Sequence, residues 1–366
     1  MKSKYRAVIV GSGFMGRTHL EALRRLGNVD AFNVGRADGD LSKFFNDPEI
    51  DAVHICTPNV AHFPLAKAAL EASKHVLCEK PLAMSTAEAA ELVKIADERK
   101  LRNATCHNLR YYPMVQQMRA MRQAGELGEI LVVQGTYSQD WLLYETDWNW
   151  RIDPSESGKS RCLADIGSHW CDMCEHVTGL RITEVCADMQ IFHKTRKRPK
   201  VAVETFAGKT LKPEDYEEVA IETEDFASVL VRLGHQTRGA FTASQVSAGR
   251  KNGLQIEIYG TKGSVTWNQE RPNELWIGQR NDPNQSIVKD PALLTGAAQE
   301  FAEYPGGHAE GYPDTFKQVF KRFYASIGDS DAEPEYPQFA DGLRQLKILE
   351  AEMESSKEHA WVEVPA

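Results

Sequence analysis

No apolar run in this 366-residue chain is long enough to span a bilayer. The N-terminal MKSKYRAVIV passes directly into a strand-like run, without the apolar segment and small-residue cleavage site of a secretory signal. Basic residues are fewer than acidic ones: the chain has 43 Lys and Arg and 52 Asp and Glu, which gives a net charge of −9. These absences argue against a membrane protein, a secreted protein and a general binder of nucleic acid or anionic membranes. We therefore expect a soluble, cytoplasmic globular protein.

The cysteines give little sign of a metal site. Cys171 and Cys174 form a CxxC with His169 and His176 close by, but no second CxxC or matched pair follows at a zinc-finger spacing. A zinc site at this motif is the alternative; we favour free thiols and no metal. The chain has seven cysteines, Cys56, Cys78, Cys106, Cys162, Cys171, Cys174 and Cys186. Most of them lie in apolar, strand-like surroundings and are expected to be small buried residues.

Strand-like and helix-like segments alternate through the first 125 residues. The apolar run YRAVIV (5–10) is typical of a buried parallel strand, and Ser85 with Glu88 forms a capping-box pattern at the start of a helix. This alternation predicts a doubly wound parallel sheet, a Rossmann domain over residues 1–125. The other predicted strands are 51–58, 74–81 and 101–108, and the other predicted helices are 17–27 and 63–73.

The second part, residues 126–366, has a different character. Many runs are β-branched or aromatic and are joined by short turns such as YGTKG (259–263), which predicts an α+β domain on a large, open, mostly antiparallel sheet. Two amphipathic helices close the chain at 314–328 and 340–356, and the last helix is free to pack back on the first domain. A long loop is predicted at 281–300. The predicted strands are 129–141, 182–193, 219–232, 238–247, 254–259, 264–268 and 273–279.

The hexapeptide GSGFMG fits the dinucleotide-binding pattern G-x-G-x-x-G, with an apolar strand before it and a helix after it. Gly11 permits a tight turn, Gly13 lets the backbone approach a pyrophosphate, and Gly16 lets the helix pack on the strand. The helix N-terminus would supply N–H donors to the phosphates. The alternative is a glycine turn that binds nothing.

An acidic residue usually ends the second strand of such a domain and binds the ribose hydroxyls. If VDAFNV (29–34) is that strand, Gly35 and Arg36 follow it, and an arginine there would suit the 2′-phosphate of NADP. On this alignment the nearby acidic residues, Asp30, Asp38 and Asp40, are poorly placed. The segment from Arg36 to Asp51 is also too short for a complete helix and a third strand.

The stretch DIGSHWCDM places Asp165, His169 and Asp172 at i, i+4 and i+7, which on an α-helix share one face. A core stripe would have apolar residues at that spacing. Histidine titrates near neutral pH and can act as a base that a carboxylate orients. The plainer alternative is that Asp165 is a helix N-cap and His169 a satisfied buried histidine.

The motifs GSGFMG, DAVHICTPN, HVLCEKPLA, NLRYYP, DIGSHWCD and EIYGTKGSV occur in an order that resembles the glucose–fructose oxidoreductase, inositol dehydrogenase and rhizopine catabolism (Gfo/Idh/MocA) family. Two further stretches, 146–154 and 304–316, resemble the branch that acts on pyranosides and anhydrosugars. The resemblance implies a Rossmann domain followed by a sheet domain that binds substrate and often forms dimer or tetramer contacts. It also implies an NAD(P)-dependent dehydrogenase that acts on a secondary hydroxyl of a sugar, anhydrosugar or polyol.

By this resemblance, the catalytic residues are Lys80, Asp165 and His169, with His169 the base, Asp165 its orienting group and Lys80 the donor to the substrate oxygen. The cofactor site implied is Gly11, Ser12, Gly13, Phe14, Met15, Thr57, Pro58, Asn59, His62, Glu79, Lys80, Asn108, Trp150 and Arg151. The substrate site implied is Lys80, Tyr111, Trp148, Arg151, Asp165, His169, Asp172 and His308. For each tryptophan the alternative is core packing.

Members of this family usually have about 20 more residues before DAVHICTP, as the two-element insert of the fold leads one to expect. AFNVGRADGD resembles the tail of the missing helix in some relatives, in which case the second strand is largely absent and Arg36 lies far from the ribose. The sequence does not decide between these alignments. We predict NAD as cofactor, with NADP the alternative, and a homodimer or homotetramer. The alternative functions are an aldose–aldose oxidoreductase with a tightly held cofactor and a non-catalytic nucleotide-binding sensor.

Overall fold

A computed structural model describes residues 4–200, 212–329 and 333–366. The chain divides into two compact units, one of Met1–Tyr111 with Gly311–Leu346 and one of Tyr112–Glu310 with Lys347–Ala366. The division into residues 1–125 and 126–366 that the sequence suggests stays a prediction. Within the described ranges, no helix is both long enough and apolar enough to cross a membrane.

The first unit contains a five-stranded sheet with the strand order β2-β1-β3-β4-β5, and every pair of neighbours is parallel. The residues of β3 are all buried, as expected for a strand that helices cover on both faces. The predicted doubly wound sheet is therefore confirmed. The elements are β1 Tyr5–Val10, α1 Phe14–Leu26, β2 Val29–Val34, α2 Ser42–Phe45, β3 Ala52–Ile55, α3 His62–Glu71, β4 His75–Cys78, α4 Thr86–Glu98 and β5 Asn103–Thr105.

The second strand is complete. VDAFNV pairs with β1 along its whole length, from Tyr5 opposite Val29 to Val10 opposite Val34. The alignment in which this strand is largely absent is therefore wrong. Between β2 and β3 the chain forms only a 3₁₀ turn, Arg36–Asp38, and the four-residue helix α2. The segment is thus too short for the extra helix and strand, and the sheet has five strands.

The second unit contains a nine-stranded sheet with the order β15-β14-β13-β12-β6-β11-β10-β7-β16. Its neighbours are antiparallel except β6 and β11, which are parallel, so the predicted mostly antiparallel sheet is confirmed. The elements are α5 Pro113–Gln123, β6 Ile130–Ser138, α6 Pro154–Ser157, α7 Ser168–Thr178, β7 Ile182–Gln190, β8 Thr195–Pro199, β9 Tyr216–Ala220, β10 Phe226–Leu233, β11 Thr237–Ser244, β12 Gly253–Gly260, β13 Ser264–Asn268, β14 Glu274–Gly278, β15 Gln285–Val288 and α8 Gly296–Gln299.

Two sequence expectations for this unit are wrong. The run 219–232 contains the end of β9 and most of β10, which are separate strands. Between them Glu224 is buried and accepts hydrogen bonds from the N–H groups of Arg161 and Leu163. The predicted loop 281–300 contains β15 and α8. β15 lies at the edge of the sheet and is mostly exposed, so it lacks the apolar pattern by which a strand is recognised.

The two faces of the large sheet differ. One face is covered by helices, and there α7 packs against β6 and β12 while the ring of Trp170 stacks on Phe241 with 4.4 Å between centroids. A Cβ at Gly135 would lie 2.6 Å from the Trp170 ring nitrogen, so the glycine lets this helix approach. The other face carries small and polar side chains around Leu230, which is 50% exposed.

Two long helices follow, as predicted. α9 Tyr312–Gly328 belongs to the first unit, where it packs on α1 and on the 3₁₀ turn Asn108–Tyr111. Its first turn is fixed because Asp314 accepts hydrogen bonds from the Gly311 N–H and the Arg25 guanidinium. The closing elements are α10 Phe339–Glu358 and β16 Val362–Glu363.

Glu352 on α10 is an uncharged acid in the folded protein. Burial raises the pKa of its carboxyl from the usual 4.5 to about 8, and the Cys171 thiol, 3.7 Å away, opposes only part of this. Since the unfolded carboxyl ionises near pH 4.5, the free energy of unfolding falls as pH rises from there towards 8.

We expect Glu352→Gln to abolish this decrease in the free energy of unfolding between pH 5 and pH 8. The variant should match the wild type near pH 5 and exceed its free energy of unfolding near pH 8 by roughly 3–4 kcal/mol. Denaturant unfolding at the two pH values measures the difference. Glu354→Gln, an exposed position on the same helix, is the matched control and should behave like wild type. An equal effect of Glu352→Gln at both pH values would contradict the account.

Candidate active site

The glycine turn joins β1 to α1. Gly11 has a φ of +122°, and a Cβ there would lie 2.4 Å from the Cys56 carbonyl oxygen. A Cβ at Gly16 would lie 1.9 Å from the Gly11 carbonyl oxygen, so only glycine lets the helix close on the turn. Gly13 differs, because a Cβ there would meet none of the described residues within 4 Å. Gly11 and Gly16 therefore build the turn, while Gly13 borders open space.

The residues around this space fit a dinucleotide phosphate. Gly13 caps α1 without any side-chain hydrogen bond, so the first turn directs its backbone N–H groups towards the open side. Ser12 and Phe14 are exposed there, and Met15 is partly buried. The hydroxyl of Thr57, in the loop after β3, is buried and makes no hydrogen bond to any described residue. A buried hydroxyl in that state is a ready partner for a ligand atom.

The end of β2 carries a carboxylate. Asp38 turns back through the 3₁₀ turn and accepts a hydrogen bond of 2.7 Å from the Gly35 N–H. A Cβ at Gly35 would lie 3.6 Å from the Ser12 hydroxyl, so this strand end borders the glycine turn. Arg36 is exposed. The short turn thus brings the Asp38 carboxylate back to the strand end.

The EKP segment follows β4 directly, and the Lys80–Pro81 peptide bond is cis. Glu79 is 7% exposed; it accepts hydrogen bonds from His19 Nε2 at 3.0 Å and from the Lys80 N–H at 3.3 Å. Burial acts to raise the pKa of Glu79, but the hydrogen bond and charge of His19 and the charge of Lys80 outweigh it and hold that pKa below its usual value. A buried carboxylate thus accepts a hydrogen bond from the backbone of the predicted catalytic lysine.

Three more of the predicted residues in this unit hold loops in place through hydrogen bonds. His62 is buried, with its ring nitrogens 2.7 Å from the Pro81 carbonyl and 3.0 Å from the Thr57 carbonyl, so it links the two loops. Asn108 donates to the Thr315 hydroxyl and Tyr111 donates to the Glu335 carbonyl. Asn59 is also buried, and Pro58 is partly buried. Their contacts with cofactor or substrate stay predictions.

In the second unit, Asp165 is held at both carboxylate oxygens. Arg151 Nε donates to one oxygen and Gln245 Nε2 donates to the other, each at 3.0 Å. The residue lies in a π-helical turn, Leu163–Gly167, that precedes α7. One continuous α-helix through the motif is therefore the wrong description, and so is Asp165 as a helix N-cap, because its side chain binds these two groups.

His169 and Asp172 lie on α7 and are 8% and 2% exposed. The ring of Tyr137 lies 6.2 Å from that of His169. Trp170 and Met173, which alternate with these polar residues in the sequence, are fully buried in the core. The motif thus separates a polar side of the helix from an apolar side.

The aromatic and basic residues that precede the Asp165–Asp172 motif differ in their contacts and burial. The Arg151 guanidinium stacks over the Trp150 ring at 4.4 Å, and its backbone is held by the Asn149 side chain. Trp148 packs against the buried cluster Leu142, Ile152 and Ile221, which agrees with a core role. His308 is exposed and lies 3.3 Å from the Gly306 carbonyl. Substrate contacts of Trp148 and His308 stay predictions.

The thiols of the CxxC motif are buried, and burial raises the pKa of both Cys171 and Cys174. Within the described ranges, the one group of potential metal ligands with atoms inside 4.8 Å of one another is His19, Glu79 and Cys106. Burial and the neighbouring Glu79 raise the pKa of the Cys106 thiol, and the nitrogen–oxygen distance of 3.0 Å is that of a direct hydrogen bond. We therefore treat this group as a hydrogen-bonded cluster.

Sequence reasoning missed several supporting residues. Gln245 follows β11 and lies 80 positions from Asp165, so no local signal connects them. Asn33 on β2 donates to the Gly11 carbonyl and supports the glycine turn. His19 had a signal, because it occupies the buried stripe of α1 together with Gly16 and Leu23, where an apolar residue is expected.

Comparison with known proteins agrees with this geometry. A family model described as an oxidoreductase family with an NAD-binding Rossmann fold matches residues 28–107, and a GFO/IDH/MocA C-terminal domain model matches residues 115–266. The levoglucosan dehydrogenase of Pseudarthrobacter phenanthrenivorans is 28% identical over 393 aligned residues, which cover 98% of this chain and 97% of that enzyme.

Solved structures extend the similarity over the whole chain. An oxidoreductase from Sinorhizobium meliloti is 30% identical with a TM-score of 0.81, covering 98% of this chain and 99% of that one. A levoglucosan dehydrogenase in complex with NADH and L-sorbose is 26% identical with a TM-score of 0.84, covering 99% of both chains. The matches on both parts of the chain, together with the glycine turn and the EKP segment, show that this protein belongs to the Gfo/Idh/MocA family of NAD-binding oxidoreductases.

Proposed function

We propose that the protein oxidises a secondary hydroxyl of a sugar, anhydrosugar or polyol, with NAD as the hydride acceptor. The observation that carries the proposal is the pairing of Asp165 with Arg151 and Gln245, four residues before His169 in the sequence. The same chain contains a dinucleotide-type glycine turn and Lys80 in an EKP segment. Two similar proteins are named levoglucosan dehydrogenase, and one of them was solved in complex with NADH and L-sorbose. These names favour a carbohydrate substrate.

The reaction needs a hydride acceptor and a base. Nicotinamide, when bound, accepts the hydride at its C4 atom. His169 accepts the hydroxyl proton, because its ordinary pKa lies near the working pH. Asp165 stabilises the resulting imidazolium, Lys80 stabilises the negative charge that develops on the substrate oxygen, and Asp172 binds a neighbouring hydroxyl.

The residues at the end of β2 favour NAD over NADP. The Asp38 carboxylate is held at the strand end, where it would repel a 2′-phosphate, whereas Arg36 is exposed. The complete β2 also removes the feature that supported a non-catalytic sensor, namely loss of the second strand.

The test of the proposed activity is a panel of pyranoses, anhydrosugars and polyols, followed by the absorbance of the reduced cofactor with NAD and with NADP. Steady NAD reduction by at least one compound is the expected result. No reduction by any member would contradict the proposal. A cofactor that stays bound through desalting would instead favour the aldose–aldose oxidoreductase.

We expect Lys80→Ala and His169→Ala to lower kcat by about 10²–10⁴-fold, because each loses a group that acts on the transition state. Lys94→Ala and His235→Ala, at exposed positions, are the controls and should keep wild-type kcat. Thermal unfolding of all four variants verifies the fold. Near-normal kcat in either active-site variant would show that its assigned role is wrong.

A separate prediction concerns cofactor choice. The wild type should have a higher kcat/KM with NAD than with NADP, and Arg36→Ala should leave that ratio unchanged. Asp38→Asn keeps an acceptor for the Gly35 N–H but removes the charge, and should lower the NAD preference roughly tenfold. A strong NADP preference that collapses in Arg36→Ala would overturn the choice of NAD.

We propose further that the protein is a homo-oligomer and uses the open face of the large sheet. That face, around the exposed Leu230, carries small side chains such as Ala240 and Thr242 that a second copy could cover. Light scattering should report a dimer or tetramer at micromolar concentration. Leu230→Asp should weaken it, whereas Leu293→Asp, which is exposed outside the sheet, should not. A monomeric wild type would contradict this proposal.

A further inference from the structure

A row of buried polar side chains lies beneath the EKP segment in the first unit. Tyr324 OH lies 3.0 Å from His54 Nε2, His54 Nδ1 lies 3.0 Å from His19 Nδ1, and His19 Nε2 lies 3.0 Å from the Glu79 carboxylate. The two histidines are 0% exposed and Tyr324 is 1% exposed. Four polar groups are thus joined end to end away from solvent.

The hydrogen-bonding capacity of imidazole fixes the direction of one bond. Glu79 as a carboxylate only accepts, so His19 Nε2 must carry the proton of that bond. If His19 is neutral, its Nδ1 accepts from His54, and Tyr324 donates to His54 Nε2. If His19 is protonated, its Nδ1 donates to His54 instead. In both arrangements His19 donates to Glu79, so that contact does not depend on the tautomer.

The surroundings of the row are apolar or weakly acidic. Rings on α9 enclose the histidines: Phe320 lies 4.7 Å from His19 and 4.9 Å from His54, and Phe316 and Phe323 complete the enclosure. The other titratable groups near Glu79 are the thiols of Cys56, Cys78 and Cys106, of which Cys106 also hydrogen-bonds the carboxylate, together with His62 and the charge of Lys80. Among the side-chain hydrogen bonds to the carboxylate, the one from His19 does more than the one from Cys106 to offset the burial of Glu79 and lower its pKa.

Burying a carboxylate without donors is costly, and a carboxyl in that state takes up a proton instead. Glu79 in turn accepts from the backbone N–H of Lys80, and its own N–H donates to the Ile55 carbonyl on β3. A change in the charge or position of the Glu79 carboxylate therefore alters a hydrogen bond to the backbone of Lys80. In the proposed function, Lys80 stabilises the substrate oxygen.

We infer that His19, held by His54 and Tyr324, is a positioning residue that keeps the Glu79 carboxylate ionised and fixed, and through it fixes Lys80. This inference rests on the proposed function only for the role of Lys80. The helix α9, which is distant in sequence, thereby contributes the Tyr324 hydroxyl to the row of hydrogen bonds that supports the EKP segment.

Two substitutions of His19 separate this role from a general effect on folding. The amide nitrogen of His19→Gln takes the place of Nε2 and still donates to Glu79, but the variant loses the contact with His54. The amide of His19→Asn takes the place of Nδ1 and keeps that contact, but no longer donates to Glu79. Both variants place a neutral amide in the same buried space, so each serves as the control for the other.

We expect His19→Asn to lower kcat by about 10–100-fold, the range for loss of a hydrogen bond to a charged group. The Kd for NADH and the KM for the sugar should stay within about threefold of wild type, since those contacts are unchanged. His19→Gln should keep kcat within about threefold of wild type. Tyr324→Phe removes one hydroxyl without a change of shape and should lower kcat only a few-fold.

Infrared difference spectra test the same inference without substrate. At neutral pH, the difference spectrum of His19→Asn against wild type should show the carbonyl band of one protonated carboxyl group in addition to Glu352. The spectrum of His19→Gln against wild type should lack this band, and the added change Glu79→Gln should abolish it. The spectra decide the inference even if no sugar in the panel is oxidised, a result that would count against the proposed function alone. Equal losses of kcat in His19→Asn and His19→Gln, or wild-type spectra and kcat in His19→Asn, would overturn the inference.

Discussion

The buried carboxylate of Glu79 is the group on which the rest of the first unit depends. Its burial is tolerated because His19 donates to it from α1 and the Lys80 N–H donates from the following peptide. The helix that carries His19 begins within the glycine turn, at Phe14, five residues before the histidine. The strand that carries His54 runs into the loop with Thr57. The elements that carry the predicted cofactor site therefore also support the predicted catalytic lysine, and this support accounts for polar residues at positions that would otherwise be apolar.

In the second unit the corresponding constraint is Asp165. The residue lies in a π-helical turn, and π-turns inside helices often mark functional sites. Its two oxygens are occupied by Arg151 and Gln245, which come from a loop and from the end of a strand. Such a carboxylate keeps a fixed orientation, which is what a group that stabilises a charged imidazole requires.

Much of this could be predicted from the sequence. The alternation of apolar strands and helices indicated the parallel sheet, because buried strands and amphipathic helices leave different periodicities. The glycine turn was recognisable because close backbone approach at Gly11 and Gly16 excludes other residues. The motif residues Lys80, Asp165 and His169 came from resemblance, and their chemical roles remain proposals.

The rest could not be predicted, for physical reasons. Gln245 reaches Asp165 through the packing of a sheet, and a contact over 80 positions leaves no local pattern. β15 is an edge strand whose exposed residues need no alternation. The position of Asp38 depends on a three-residue 3₁₀ turn, which the sequence did not indicate. The hydrogen-bonded row from Tyr324 to Glu79 joins residues from four parts of the chain, and each of them shows in the sequence only as a polar residue among apolar ones.

The central claim is that a hydride moves from a secondary carbinol carbon of a carbohydrate to the nicotinamide bound by the first unit. The most direct measurement is mass spectrometry of the reduced cofactor formed from a sugar that carries deuterium at its carbinol carbons. The account predicts that one deuterium appears in the reduced nicotinamide and none in the solvent. Reduced cofactor that contains no deuterium would contradict it.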